Sequence, residues 1–240
     1  MSACRLGVLA FGDSITNGGG ELQWGVALQS WALWVARGLG LPYTPHAQDG
    51  ATVQDVVEIQ IPRARADTRY DLGCLYVGAN DARLPGWDRT GFERDHRAAL
   101  AFLAERCDRV LTATVPLDLG RPRAGAAVLE ANAAIEASAA NSGALVLDLR
   151  DFKARNLMMP DHVHPTAFGQ VAIAERALDL LAEHGLAPHA RPSSLISYET
   201  TRRGRLRGDL TYLYRHAKVS ARAVALSASA SARRRRRRAG

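Results

Sequence analysis

Residues 5–16 read Arg5-Leu6-Gly7-Val8-Leu9-Ala10-Phe11-Gly12-Asp13-Ser14-Ile15-Thr16. Residues 5–11 are a β-prone run that is nearly all apolar, and a turn of small and polar residues follows. A strand that is apolar throughout, rather than at alternate positions, is covered on both faces. The pattern returns at 72–77, ahead of Gly78-Ala79-Asn80-Asp81, and again at 109–115 and 144–149. A weaker run at 43–47 precedes Gln48-Asp49-Gly50-Ala51-Thr52. Helix-like stretches lie between these runs, at 26–38, 52–61, 91–106, 124–141 and 166–183. Strand–helix alternation at this spacing predicts an α/β fold, a mostly parallel sheet in a three-layer α/β/α sandwich. Active sites of such folds gather at the carboxyl ends of the strands.

The chain has 240 residues, 47% hydrophobic and 23% charged, enough for one globular domain with a sizeable core. Its net charge of +7 points at first to a polyanion binder. The charge is unevenly placed. Residues 191–240 hold 14 of the 31 Lys+Arg and 2 of the 24 Asp+Glu, a net of +12, which leaves residues 1–190 at −5. The organisation expected is a globular body over 1–188 and a basic extension over 189–240. Within the extension, 202–226 is a possible helix, and an end carrying six arginines at 233–238 is expected to be disordered. Cys4, Cys74 and Cys107 are too few for a disulfide framework and fit a reducing interior. No uncharged stretch reaches the about 20 residues of a membrane span, and residues 5–12 lack the cleavage site of a signal peptide. A cytoplasmic protein is expected, at most peripheral at a membrane.

The chemistry stands at the strand ends. Ser14 follows the first strand, Asn80 and Asp81 follow the third, and Asp161-His162-Val163-His164-Pro165 precedes the last helix. A serine hydroxyl needs a base to become a nucleophile, and histidine titrates in the right range. The imidazole needs a carboxylate to hold one tautomer, and the oxyanion needs preorganised donors. Ser14 can be the nucleophile. His162 and His164 both stand near Asp161; the spacing favours His164 as base and leaves His162 as a solvated loop residue. Asp161 can orient His164. The Ser14 N–H and the Asn80 amide can hold the oxyanion. Asp13 and Asp81 are read as supports of their turns rather than as reacting groups. Gly18-Gly19-Gly20 lacks a phosphate-loop ending and is read as a flexible lip of the pocket. Trp31 and Trp34 are expected in the core, and Trp24 near the pocket. No metal and no cofactor is expected.

Taken in order, Gly12-Asp13-Ser14-Ile15-Thr16, Gly50, Gly78-Ala79-Asn80-Asp81 and Asp161-x-x-His164 resemble the four sequence blocks of the GDSL-type SGNH hydrolases. The resemblance covers about residues 5–185. It implies a flavodoxin-like sheet of about five strands, with Ser14, His164 and Asp161 as catalytic triad. It also implies Gly50 as an oxyanion donor beside Ser14 and Asn80. One departure is Asp49, whose charge stands next to Gly50. The implied activity is hydrolysis of carboxylic esters of lipids, acetylated sugars or small acyl compounds. Acyl transfer to a small-molecule or sugar hydroxyl is the alternative, and a binding protein acting through its tail is a third. The tail's arginines are suited to an anionic membrane or to nucleic acid.

Overall fold

The five apolar runs pair as one parallel sheet. In the computed structural model, which describes residues 6–65, 67–198 and 201–238 and side chains as far as 225, the strands are β1 (Val8–Gly12), β2 (Tyr43–Pro45), β3 (Tyr70–Tyr76), β4 (Cys107–Ala113) and β5 (Leu145–Leu147). Their order is β2-β1-β3-β4-β5, and every pairing is parallel. This is the flavodoxin-type arrangement. β1 is buried over its whole length, which accounts for its unbroken apolar sequence. Arg5 and Cys4 lie outside the described residues.

Two helical layers enclose the sheet. Helix α1 (Trp31–Leu39) packs on α5 (Ala167–Glu183), and α3 (Arg89–Arg106) packs against α2 (Val53–Asp55) and α4 (Ala126–Ser142). Helix α1 starts later than its sequence pattern predicts. Ser30 is its cap, with its hydroxyl accepting from the N–H groups of Ala32 at 3.1 Å and Leu33 at 3.4 Å. Helix α2 widens into a π-helical turn, Val56–Gln60, then tightens at Ile61–Arg63, where Pro62 ends it.

The chain leaves β1 toward β2 on one side and returns from β2 to β3 on the other. The carboxyl ends of β1 and β3 are therefore neighbours with diverging crossovers, the switch point where such sheets hold their ligands. Ser14 follows one of these ends and Asn80 the other.

Beyond α5 the chain folds back on α1: the N–H groups of His189 and Ala190 donate to the Gly38 carbonyl at 2.8 and 3.1 Å. Helix α6 (Arg202–Arg238) follows. It passes the 226 limit expected from sequence and takes in residues 227–238, expected to be disordered. The alanine-rich stretch 221–232 has the propensity to carry the helix on. We propose the domain boundary at 188 from the change of composition alone. No helix among the described residues is long and apolar enough to cross a membrane.

Candidate active site

The turn after β1 is built by short-range bonds. The Asp13 carboxylate accepts from the Ile15 N–H at 2.9 Å, and the Asp13 carbonyl accepts from Asn17 N–H at 2.9 Å. Ser14 thereby stands in a tight turn just after β1, well ahead of α1. Its hydroxyl lies 3.0 Å from His164 Nε2. His164 Nδ1 lies 2.7 Å from an Asp161 carboxylate oxygen. The other oxygen accepts from the Val163 and His164 N–H groups at 2.9 and 3.1 Å, so the Asp161 side chain closes the turn that carries the imidazole. The three residues named from sequence form one hydrogen-bonded line.

The electrostatics follow from this line. The hydrogen bond that His164 donates to the negatively charged Asp161 raises the His164 pKa above its usual value against the opposing effect of burial. Burial pushes Asp161 upward, but the bonds from His164 and the two backbone N–H groups together hold it below the usual carboxylate range. With Asp161 ionised, Nδ1 carries the imidazole proton and Nε2 is left free to accept from Ser14.

Asn80 and Gly50 stand together. One Asn80 amide hydrogen is donated to the Ala51 carbonyl at 3.0 Å, which leaves the second amide hydrogen available. Among the described residues, no acceptor engages the N–H of Ser14 or of Gly50. Gly50 has φ +77° and open space where a Cβ would project. Glycine is needed here for the left-handed backbone, not to relieve a protein contact. The Asp49 carboxylate accepts from the Asn17 side chain at 2.9 Å at the surface, tying the Gly50 turn to the Ser14 turn. The Asp81 carboxylate accepts from Val53 N–H at 3.0 Å and so joins the Asn80 turn to the start of α2. Burial pushes the Asp13 pKa up to about 7 and that of Asp81 up to about 6.

Two sequence expectations fail. His162 is not solvated; it is buried with φ +55°, its Nδ1 2.9 Å from Asp118 and its ring 3.0 Å from Arg121. An acidic and a basic partner on the 118–121 loop draw it inward, which local spacing does not reveal. The glycine triplet is not a free lip. The Gly19 N–H donates to the Ser14 carbonyl at 2.6 Å, and a Cβ at Gly20 would stand 2.0 Å from the Pro165 carbonyl. These glycines let the chain pass between the serine turn and the histidine turn. Trp31 and Trp34 are core residues, while Trp24 lines a cavity of about 310 Å³ with Met158, Thr166 and Tyr212. Neither Ser14 nor His164 lies on its wall.

Sequence reading missed two glutamines. Gln60 is fully buried, accepts from the Gly12 N–H at 2.9 Å and donates to the Gly12 carbonyl at 2.8 Å. Gln170, also fully buried, accepts from Trp31 N–H at 2.8 Å and donates to the carbonyls of Ile15 at 2.9 Å and Gly19 at 3.0 Å. The available signal was an amide side chain within an otherwise apolar helical face.

A parallel five-stranded sandwich that brings Ser14, His164 and Asp161 into one hydrogen-bonded line is suited to ester hydrolysis. The sequence matches the GDSL-like Lipase/Acylhydrolase family over residues 10–172, and the chain belongs to that family. Among solved structures, it resembles the enzyme LAE5 from the metagenome of Lake Arreo (TM-score 0.58, 19% identity, covering 75% of this chain and 96% of that one). It also resembles a member of the lipolytic G-D-S-L family from Veillonella parvula (TM-score 0.56, 23% identity, 73% and 97% covered). A third is the acetylxylan esterase Axe2 of Geobacillus stearothermophilus (TM-score 0.55, 19% identity, 74% and 96% covered). No curated protein matches the sequence with significance.

Proposed function

We propose that the protein hydrolyses small acyl esters by double displacement through an acyl–Ser14 intermediate. The observation that carries this reading is the line Ser14 Oγ to His164 Nε2 at 3.0 Å and His164 Nδ1 to Asp161 at 2.7 Å. Ser14 Oγ attacks the ester carbonyl carbon as its proton passes to Nε2. The oxyanion is held by the Ser14 and Gly50 N–H groups and the second Asn80 amide hydrogen. The carbon–oxygen bond to the alcohol then breaks, and His164 returns the proton to the leaving alkoxide. Water attacks the acyl–Ser14 carbonyl, loses its proton to His164, and the carboxylic acid departs as Ser14 regains a hydrogen. The Axe2 likeness makes acetylated sugars the first natural substrates to assay beside p-nitrophenyl esters. The free, buried thiols of Cys74 and Cys107 support placing the enzyme in a reducing, cytoplasmic compartment.

The test is hydrolysis of p-nitrophenyl acetate by wild type and Ser14→Ala, with matched melting curves. The expected loss is about 10³-fold or more in kcat. Turnover undiminished in Ser14→Ala refutes the mechanism.

A further inference from the structure

Helix α6 meets the body on one side and leaves a different side bare. On the body side, Arg155 forms an ion pair with Asp209, and its guanidinium lies 5.5 Å from the Tyr212 ring centre. Tyr212 stacks on His216 at 6.0 Å, and His216 meets His162 edge-on at 5.8 Å. Arg215 pairs with Glu21. Further along, Ala223 is buried. About a quarter turn round the helix, the spacing 206, 210, 213, 224 aligns Leu206, Leu210, Leu213 and Val224 in one stripe. Their exposures are 61%, 59%, 55% and 69%, with Tyr214 beside them at 69%. Single exposed leucines need no explanation, but an aligned row on a helix does.

The charge around the row is mainly positive, its neighbouring Asp209 being paired with Arg155. Arg203, Arg207 and Lys218 flank it, and the helix runs on into the six arginines at 233–238. We propose that α6 lies on an anionic lipid surface, with the leucine stripe entering the acyl boundary and the basic residues meeting the headgroups. An apolar face bordered by Arg and Lys is the composition of an interfacial helix, and no helix among the described residues is suited to cross the bilayer instead. A second copy of the chain is a poor occupant, because it brings another segment of net charge +12 against the first. A nucleic acid engages arginines and leaves four apolar side chains in water. The anchor also has a defined position. Glu21, held by Arg215, forms a parallel bridge with Thr166, two residues after His164. The surface-bound helix therefore sits beside the catalytic turn. This anchoring stands independently of the roles assigned to Ser14 and His164.

The experiment is co-sedimentation of the full chain with vesicles of phosphatidylcholine alone or mixed with phosphatidylglycerol. The expected result is binding to the mixed vesicles, weakened by salt. Leu206→Ser/Leu210→Ser/Leu213→Ser should lower the partition coefficient about tenfold or more. Replacing the six arginines at 233–238 with glutamine should lower it as well. All three leucines face solvent, so the variant should keep the wild-type melting curve and its hydrolysis of soluble p-nitrophenyl acetate. Four results overturn the proposal: equal binding to neutral vesicles, no binding to either, unchanged binding by the leucine variant, or dimers in solution that the leucine variant abolishes. Tight binding of a single-stranded oligonucleotide without vesicle binding assigns the helix to nucleic acid and overturns it too.

Discussion

Replacing Gln170 with methionine tests whether the serine turn is held from behind. Methionine keeps the length and approximate volume of the side chain but has neither its acceptor nor its donors. Three backbone groups then lose a partner, and two of them, the buried Trp31 N–H and the half-buried Gly19 carbonyl, are left unpaired, while the Ile15 carbonyl keeps the Gly18 N–H at 3.3 Å. At about 1–3 kcal/mol for each of the two groups left unpaired, the loss is on the order of 2–6 kcal/mol. A chain of this size loses about 2–4 °C per kcal/mol, so the melting temperature should fall by about 4–24 °C. The kinetic effect is separate. Gly19 is bonded to Ser14, so freeing residues 15–19 loosens the 3.0 Å approach of Ser14 to His164. A displacement of about 1 Å lowers kcat by about 10²-fold, with a smaller change in KM. Thermal melts and p-nitrophenyl acetate kinetics at a temperature where the variant is folded read both effects. Gln170→Glu keeps the acceptor for Trp31 but sets a carboxylate against two carbonyls, so it should do no better. A Gln170→Met enzyme that melts within about 3 °C of wild type and keeps its kcat refutes the reasoning.

Asn80→Ala should lower kcat by about 10²–10³-fold with KM little changed, because the lost donor acts on the oxyanion; unchanged kcat removes Asn80 from that role. His164 must be neutral to accept the Ser14 proton, and its pKa is raised by Asp161. Activity should therefore be present at high pH and lost as pH falls, with the midpoint of kcat/KM above His164's ordinary 6.5. Asp161→Asn removes the main cause of that rise, so its residual activity should show the midpoint moved down. Burial holds the Asp13 proton to about pH 7 in the folded state, against 3.8 when exposed. Stability from this group is present below about pH 4 and lost as pH rises to about 7, on the order of 4 kcal/mol. Asp13→Asn keeps the acceptor for Ile15, so urea unfolding at the two pH values should show a correspondingly smaller decline than wild type.

The sheet was legible because its central strand Val8–Gly12, buried on both faces, spells an unbroken apolar run, and the buried parts of β3 and β4 come close to one. The hydrogen-bonded line was legible because Ser14 and the Asp161–His164 pair fall at a strand end and just before a helix, where the fold gathers them. What escaped depended on contacts between distant residues. Gln60 and Gln170 look like ordinary polar interruptions until the backbone atoms they serve are brought beside them. His162 reads as a loop residue until Asp118 and Arg121 arrive from 41 or more residues away. The late start of α1 was a local matter, decided by the Ser30 cap over the apolar pattern of 26–30. The extension read as basic from composition alone, but only the fold separates the face of α6 that meets the body from the leucine face that does not.

The hydrogen bond between Ser14 and His164 spans 150 residues of chain, and Gln170 reaches back 155 residues to Ile15. The serine turn is made long before residues 161–170, which brace it and carry the imidazole it meets. A nascent chain that ends before residue 161 lacks the Ser14–His164–Asp161 line, so on the proposed mechanism esterase activity should appear only after α5 has emerged. Turnover by ribosome-bound chains of graded length would thus serve as a clock for the closure of the fold, with its signal arriving late and in one step.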